Sequence, residues 1–93
     1  MNKEQDIFLY SNPYKVQQKA QDLYLNPIHL SSRKDKKYMV FDGRKMQHFG
    51  QWGYSDFTKT EDEHKRFLFR RRNKKWADRP VYSPAFLSYY LLW

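Results

Sequence analysis

The side chains that could carry acid–base or metal chemistry are few and scattered. The three histidines, His29, His48 and His64, are not at metal-ligand spacing, and no carboxylate completes a site around them. The chain has no cysteine, which excludes disulfides, thiolate metal ligands and cysteine nucleophiles. We therefore predict no metal site and no cofactor.

Two carboxylates, Asp42 and Asp56, could be imagined as a general acid and a general base. Asp42 is better explained by a turn with Gly43, and Asp56 by capping a helix or pairing with an arginine. No serine has a histidine and an acid in a recognisable frame, and the glycines are not followed by the lysine of a phosphate-binding loop. The sequence thus predicts a non-enzymatic protein with no catalytic residue and no small-molecule substrate.

Positive charge is the strongest compositional signal. The 93 residues carry a formal net charge of +8, and the segment from Lys65 to Arg79 holds eight basic residues and one acidic residue. Such a balance favours an acidic partner: nucleic acid, anionic lipid or an acidic protein surface. The alternative is a basic surface that only keeps a small protein soluble. The candidate contact residues recur every four positions, as on one side of a helix: Arg66, Arg70 and Lys74, then Arg71 and Lys75, with Arg72 between them.

Aromatic residues make up 19% of the chain, and four candidate site residues lie close together: His48, Phe49, Trp52 and Tyr54. One interpretation is a strand that ends in a packed aromatic side chain and a glycine turn at Gly50. The other interpretation is an aromatic platform on which a nucleobase could stack.

The C-terminal segment is apolar nearly all round. Ser83 and Pro84 predict a helix start, as cap and first helical residue. The nine residues that follow are too few to form a stable helix alone, so the segment must be buried against its own hairpin or a neighbour. The candidate partner-binding residues are Phe86, Leu87, Tyr90, Leu91 and Trp93. No apolar run reaches the ~20 residues of a membrane span, and the N-terminus lacks the apolar region of a signal peptide.

The central elements predicted to position these residues are a hairpin and a basic helix. Residues 37–41 read as a strand, Asp42 and Gly43 as a type I′ turn, and residues 44–49 as the returning strand. Thr60 with Glu63 forms a capping-box pattern, which predicts a helix that ends near Arg72 or Asn73.

The N-terminal third is predicted to be an extension with one helix. Ser11 or Asn12 would cap a helix over residues 13–24, which ends before Pro27. Residues 7–10 read as a strand or a docking plug, and residues 28–32 as a connector. We predict a division into residues 1–32 and 33–93. The predicted fold class is α+β: a small β-hairpin packed with a basic helix and a short apolar C-terminal helix.

A set of short motifs over residues 36–93 resembles a family of small proteins. The motifs are Tyr38-Met39-Val40, Lys45-Met46-Gln47-His48-Phe49-Gly50, Tyr54-Ser55-Asp56-Phe57-Thr58, Asp62, Lys65-Arg66, Arg70-Arg71-Arg72 and the final run from Ser83 to Trp93. They are similar to those of small, basic, mostly uncharacterised proteins of large nucleocytoplasmic DNA viruses, with similar proteins in some tailed phages. The resemblance implies a viral context, and a small ordered basic protein in such a virus is often part of the particle.

Two functions follow as expectations. The first is a minor capsid-associated protein that cements neighbouring capsid proteins through its apolar terminal segment and basic side chains. It would be made in the host cytoplasm or nucleus and located in the virion. The alternative is a nucleic-acid-binding protein that packages or condenses the viral genome.

Overall fold

A three-stranded antiparallel sheet organises the molecule, and its strand order is β1-β2-β3. In the computed structural model, which describes residues 2–93, β1 is Ile28–Leu30, β2 is Lys36–Phe41 and β3 is Met46–Gln51. The predicted connector over residues 28–32 is therefore wrong, because its first three residues pair with β2 as an edge strand. A pattern of only three alternating apolar and polar residues cannot be recognised as a strand unless the strand that pairs with it is known.

The hairpin between β2 and β3 was predicted correctly, but the predicted type I′ turn at Asp42 and Gly43 is wrong. Phe41 pairs with Met46, so four residues lie between the strands rather than two. Gly43 has a positive φ of 100°, whereas a type I′ turn needs positive φ at both central residues. The Asp42 carboxylate accepts hydrogen bonds from the Gln47 side chain and from the Lys45 and Arg44 main-chain N–H groups. These bonds lower the pKa of Asp42 to about 2 and fix the wider loop.

Helical segments occupy much of the remaining chain. The described residues include α1 at Lys3–Asp6, continued by a 3-10 turn at Ile7–Leu9, α2 at Pro13–Asp22, α3 at Phe57–Thr60, α4 at Glu63–Arg72, a 3-10 segment at Lys74–Asp78, and α5 at Pro84–Leu87, continued by a π-helical turn at Ser88–Leu92. The predicted α+β class is confirmed, as are helices near residues 13–24, 63–72 and 84–92. Residues 7–10, predicted as a strand or a plug, instead contain the 3-10 turn.

Short polar side chains set where the helices begin. The Asn12 side chain accepts hydrogen bonds from the Tyr14 and Lys15 N–H groups at the start of α2, as predicted. The capping box of Thr60 and Glu63 is wrong, because Asp62 caps α4 by accepting from its first N–H groups. Thr60 instead ends the separate short helix α3.

One core holds the elements together. Its fully buried apolar side chains come from the 3-10 turn, α2, β2, β3 and the terminal helix: Ile7, Val16, Ala20, Tyr38, Val40, Phe49, Leu87, Leu91 and Leu92. Core residues thus lie on both sides of the boundary predicted at residue 32. The first third of the chain packs into the same core as the remainder.

A buried polar cluster ties the N-terminal third to the segment after the sheet. Lys37 Nζ lies 3.0 Å from Asp56 Oδ2, and both side chains are almost fully buried. Asp56 also accepts a hydrogen bond from the Thr58 N–H and so begins α3. The Thr58 hydroxyl lies 3.0 Å from Ser11 Oγ, which accepts from Tyr38 at 2.7 Å. Asp56 was expected to cap a helix or pair with an arginine; it caps a helix and pairs with a lysine.

The last feature of the fold is the length and polarity of its helices. Within residues 2–93, no helix has both the length and the apolar character that crossing a bilayer requires.

Candidate functional site

The six basic candidates are divided into two groups by their contacts. Arg66 Nε and Arg70 Nε both donate to the main-chain oxygen of Trp93, at 2.8 and 3.1 Å. The Arg66 guanidinium also lies over the Phe57 ring, and that of Arg70 over the Tyr89 ring. The contacts with Trp93 and Tyr89 hold α4 against the terminal segment, and the contact with Phe57 holds it against α3. Arg66 and Arg70 are therefore structural contacts rather than free partners for a ligand.

The other four basic candidates surround one open cleft. Because the α-helix ends at Arg72 and the chain continues as a 3-10 segment, the predicted stripe with a repeat of four residues stops there. Because the chain changes direction after Arg72, the side chains of the last helical residues and of the 3-10 segment surround a cleft of about 520 Å³. Its lining is Arg71, Arg72, Asn73, Lys74, Lys75, Trp76, Asp78 and Arg79, which we call the basic cleft.

The electrostatics of the basic cleft are one-sided. Five cationic side chains line it against a single carboxylate, that of Asp78. Arg71, Arg72, Lys74, Lys75 and Arg79 are all exposed. Among the described residues none of the five takes part in a salt bridge. A cluster of uncompensated cations around a concave surface attracts polyanions and concentrates phosphate near it.

A second cleft, walled by aromatic rings, adjoins the basic cleft. This second cleft, which we call the aromatic cleft, has a volume of about 400 Å³ and lies between β3 and the terminal helix. Its lining is Lys36, Lys37, Phe49, Gly50, Gln51, Phe69, Trp76, Pro84, Ala85, Ser88, Leu92 and Trp93. The rings of Phe69 and Trp93 stack with centroids 4.5 Å apart and an angle of 8°. Trp76 meets Phe69 edge-on, at 5.8 Å and 79°. Because Trp76 lines both clefts, the aromatic cleft and the basic cleft share a wall.

The apolar candidates of the terminal segment are used mainly inside the molecule. Leu87 and Leu91 are fully buried in the core, where sequence reasoning allowed either the chain's own hairpin or a neighbour. Phe86 and Tyr90 are half-buried against each other, with ring centroids 4.6 Å apart. The Tyr90 hydroxyl donates to the main-chain oxygen of Ala77, and Trp93 forms the ring stack described above. The segment therefore has its docking site within its own chain.

The aromatic platform predicted from His48, Phe49, Trp52 and Tyr54 does not form. Phe49 is only 1% exposed and packs in the core, in agreement with the alternative interpretation of a packed strand end. Trp52 packs edge-on against Tyr10 and carries the Lys3 ammonium over its ring. Tyr54 is 69% exposed. A base could not stack across the four residues together.

His48 has a structural role beside that strand end. His48 Nδ1 lies 2.6 Å from Ser31 Oγ, which joins the β1 side of the sheet to β3. Burial, followed by the nearby Arg33 and Lys3 charges, lowers the pKa of His48. Its Nδ1 atom is therefore already engaged within the chain.

Several residues that line the two clefts were missed in the sequence, among them Phe69, Trp76 and Arg79. Trp76 lies within the basic run, and a tryptophan directly after two lysines was the available signal. Phe69 contacts Trp76 on one side and Trp93 on the other, and the second contact joins residues 24 positions apart in the sequence. Of the described residues, no three histidine or carboxylate side chains are grouped to hold a metal ion.

Comparison with known proteins identifies a family without an assigned role. A family model, described as a family of unknown function (DUF5754), matches residues 27–76. The match runs from just before β1 to Trp76 and so includes the sheet, α3, α4 and part of the basic cleft. No curated protein and no solved structure matches the chain. Because the model covers more than half of the sequence, the chain belongs to DUF5754.

Proposed function

We propose that this member of DUF5754 binds nucleic acid through the basic cleft. The observation that carries the proposal is the arrangement of five exposed cationic side chains around one concave surface, with Trp76 in its wall. This reverses the order of the two functions expected from the sequence. The reason is that Leu87 and Leu91, the centre of the expected docking segment, are buried in the chain's own core.

The chemistry of the basic cleft suits a phosphate backbone. Arg71, Arg72 and Arg79 each present a planar guanidinium that can bind phosphate oxygens in pairs. Lys74 and Lys75 add compact charges between them. Binding would release the counterions condensed on the nucleic acid, so affinity should fall steeply as salt is raised.

A direct test uses fluorescence anisotropy of a labelled single-stranded oligonucleotide over a series of salt concentrations. The Arg71→Gln/Lys75→Gln variant should bind more weakly. It should also flatten the slope of log affinity against log salt by about 1.4, at roughly 0.7 per lost phosphate contact. Arg66 and Arg70 are left unchanged because both hold Trp93.

The matched control removes two equivalent charges elsewhere. Arg33 and Lys34 are exposed in the loop between β1 and β2, so Arg33→Gln/Lys34→Gln lowers the net charge equally. The proposal expects a much smaller change of slope for this control. Equal slopes for both variants, or binding that does not respond to salt, would overturn it.

As a second candidate we propose the minor structural role in a large DNA virus particle. The exposed Phe8, Leu9 and Tyr14 favour it, because the Phe8 and Tyr14 rings adjoin at 5.9 Å in a small apolar patch. Such a patch, rather than the terminal segment, would contact a neighbouring capsid protein. The motif resemblance given above supplies the viral context of this candidate.

Particle incorporation tests the second candidate. Leu9→Glu/Tyr14→Glu should reduce the amount of the protein in purified particles, measured against the major capsid protein by mass spectrometry. Tyr54→Glu, at an exposed aromatic outside the patch, is the control. Unchanged incorporation of the patch variant, or absence of the wild-type protein from particles, would reject this role.

A further inference from the structure

We propose that the aromatic cleft receives an unstacked nucleobase, so that the nucleic acid bound by this protein is single-stranded. The inference rests on the proposed function, which concerns the phosphate backbone, and adds what is recognised beside it. It is carried by the wall that the aromatic and basic clefts share at Trp76.

The walls of the aromatic cleft are suited to a flat ring. Phe69 and Trp93 are already stacked on each other, and Trp76 stands nearly perpendicular to Phe69. Trp76 therefore stands at an angle to the stacked pair of Phe69 and Trp93 and does not continue the stack. All three side chains are half-buried, so each keeps surface available to a ligand. A volume of about 400 Å³ is at the lower end of small-molecule sites and suffices for one base.

The rim of the aromatic cleft provides polar groups for a base edge. Lys36 and Gln51 are paired across β2 and β3 and both line the cleft. In the described part of the chain, neither side chain takes part in a hydrogen bond or a salt bridge. Each could therefore contact carbonyl or amide groups of a base without losing an existing partner.

The position of the basic cleft decides the class of ligand. A base in the aromatic cleft would place its phosphates near Trp76, beside the cationic side chains of the basic cleft. In a duplex the bases are stacked and paired, so a ring can enter only from a single strand or from a flipped nucleotide. Stacking on aromatic side chains accepts every base, which predicts little sequence preference.

The test compares three polyanions at the same salt concentration with the full chain: a single-stranded oligonucleotide, the corresponding duplex and inorganic polyphosphate. The single strand should bind most tightly and should quench tryptophan fluorescence. Trp76→Leu should weaken single-strand binding by roughly 5- to 150-fold, the range for loss of one stacked base. It should change polyphosphate binding little. Trp76→Phe, which keeps a ring, should retain most of the affinity.

Trp52→Leu is the matched control, because Trp52 is another half-buried tryptophan that packs on Tyr10 outside both clefts. It should leave single-strand binding unchanged. Equal affinity of wild type for strand, duplex and polyphosphate would overturn the inference, even where Trp76→Leu does not fold. If that equality were found while the Arg71→Gln/Lys75→Gln effect persisted, only the base site would be rejected. If none of the three polyanions bound, both proposals would fail together.

Discussion

At the residue scale, the buried ion pair of Lys37 and Asp56 is the most consequential contact. A lysine within a strand would ordinarily be assigned to the exposed face, yet the Lys37 and Asp56 side chains are at most 2% exposed. Burial is the main cause that lowers the pKa of Lys37, and the Asp56 charge opposes it. Each member of the pair is needed because the other has no access to water.

Removing one charge of this pair should therefore cost much more than removing one at the surface. We expect Asp56→Asn to lower the free energy of unfolding by about 3–5 kcal/mol, since it leaves the Lys37 ammonium buried without a counter-charge. Glu61→Gln, which breaks the exposed pair with Lys15, should cost about 1 kcal/mol or less. Urea denaturation measures both.

A double variant separates lost pairing from lost packing. Lys37→Met in the Asp56→Asn background removes the isolated charge and should restore part of the stability. If the double variant were no more stable than Asp56→Asn, an unpaired ammonium would not be the source of the loss.

Gly50 is the second residue whose identity the packing requires. Its φ is +82°, and an added Cβ would lie 2.9 Å from Leu92 Cδ1 and 3.2 Å from Lys37 Cβ. Gly50→Ala should therefore combine backbone strain with a steric clash against the terminal helix, and lower the free energy of unfolding by about 2–4 kcal/mol.

Gly53 provides the matched control for Gly50. Its φ is +95°, but nothing lies within 4 Å of the position of a Cβ. Gly53→Ala should cost about 1 kcal/mol from the backbone alone. Thermal melting of the two variants measures the difference, and equal losses would show that the terminal helix does not press on Gly50.

At the element scale, α4 shows how a correct helix can be predicted from an incorrect start. The acidic run Glu61-Asp62-Glu63 indicated a helix N-terminus, and the helix does begin there. The pattern of Thr60 and Glu63 predicted the cap at Thr60, two residues before the observed cap at Asp62, because Thr60 belongs to the preceding α3. Glu61 lies between the two helices with a positive φ of 53°, which breaks the chain direction.

The identity of the cap can be tested by alanine substitution. Asp62→Ala should reduce stability by about 0.5–2 kcal/mol, because the His64 and Lys65 N–H groups lose their acceptor. Thr60→Ala should have a smaller effect, since its hydroxyl accepts only from the Asp62 N–H. Circular dichroism during urea denaturation compares them. A larger loss for Thr60→Ala would restore the predicted capping box.

At the scale of the whole molecule, the N-terminal third completes the core. Ile7, Val16 and Ala20 are fully buried against residues from the sheet and the terminal helix. The Lys3 ammonium donates to the main-chain oxygens of Ser31, Arg33 and Lys36, at 2.7–2.8 Å. These contacts reach the loop that leads into β2. The first residues thus stabilise an element that lies beyond the boundary predicted at residue 32.

A chain that starts at residue 27 should therefore fail to melt cooperatively. It keeps the whole matched family segment but loses three core side chains, of which Ile7 and Val16 are each worth about 1.5–3 kcal/mol. Leu9→Ser/Tyr24→Ser changes only exposed apolar residues of the same third and should change the stability by about 0.5 kcal/mol or less. A cooperative transition of the shortened chain near the melting temperature of the full chain would show an independent module.

Local signals in the sequence determined the α+β class, the hairpin region, the helices near residues 13–24, 63–72 and 84–92, and the density of positive charge after Lys65. Caps, glycines and hydrophobic patterns act over a few residues, so these features can be read without the fold. The sequence also indicated that the terminal segment must be buried. It left open whether its own chain or a neighbour would cover it.

Tertiary structure alone decided the remaining assignments. It placed Leu87 and Leu91 in the chain's own core, separated Arg66 and Arg70 from the four basic residues that remain free, and paired β1 with β2. It also brought Phe69 into contact with both Trp76 and Trp93. Each of these contacts joins residues that are distant in sequence. A local sequence pattern does not indicate which distant residue will fill a given space or accept a given hydrogen bond.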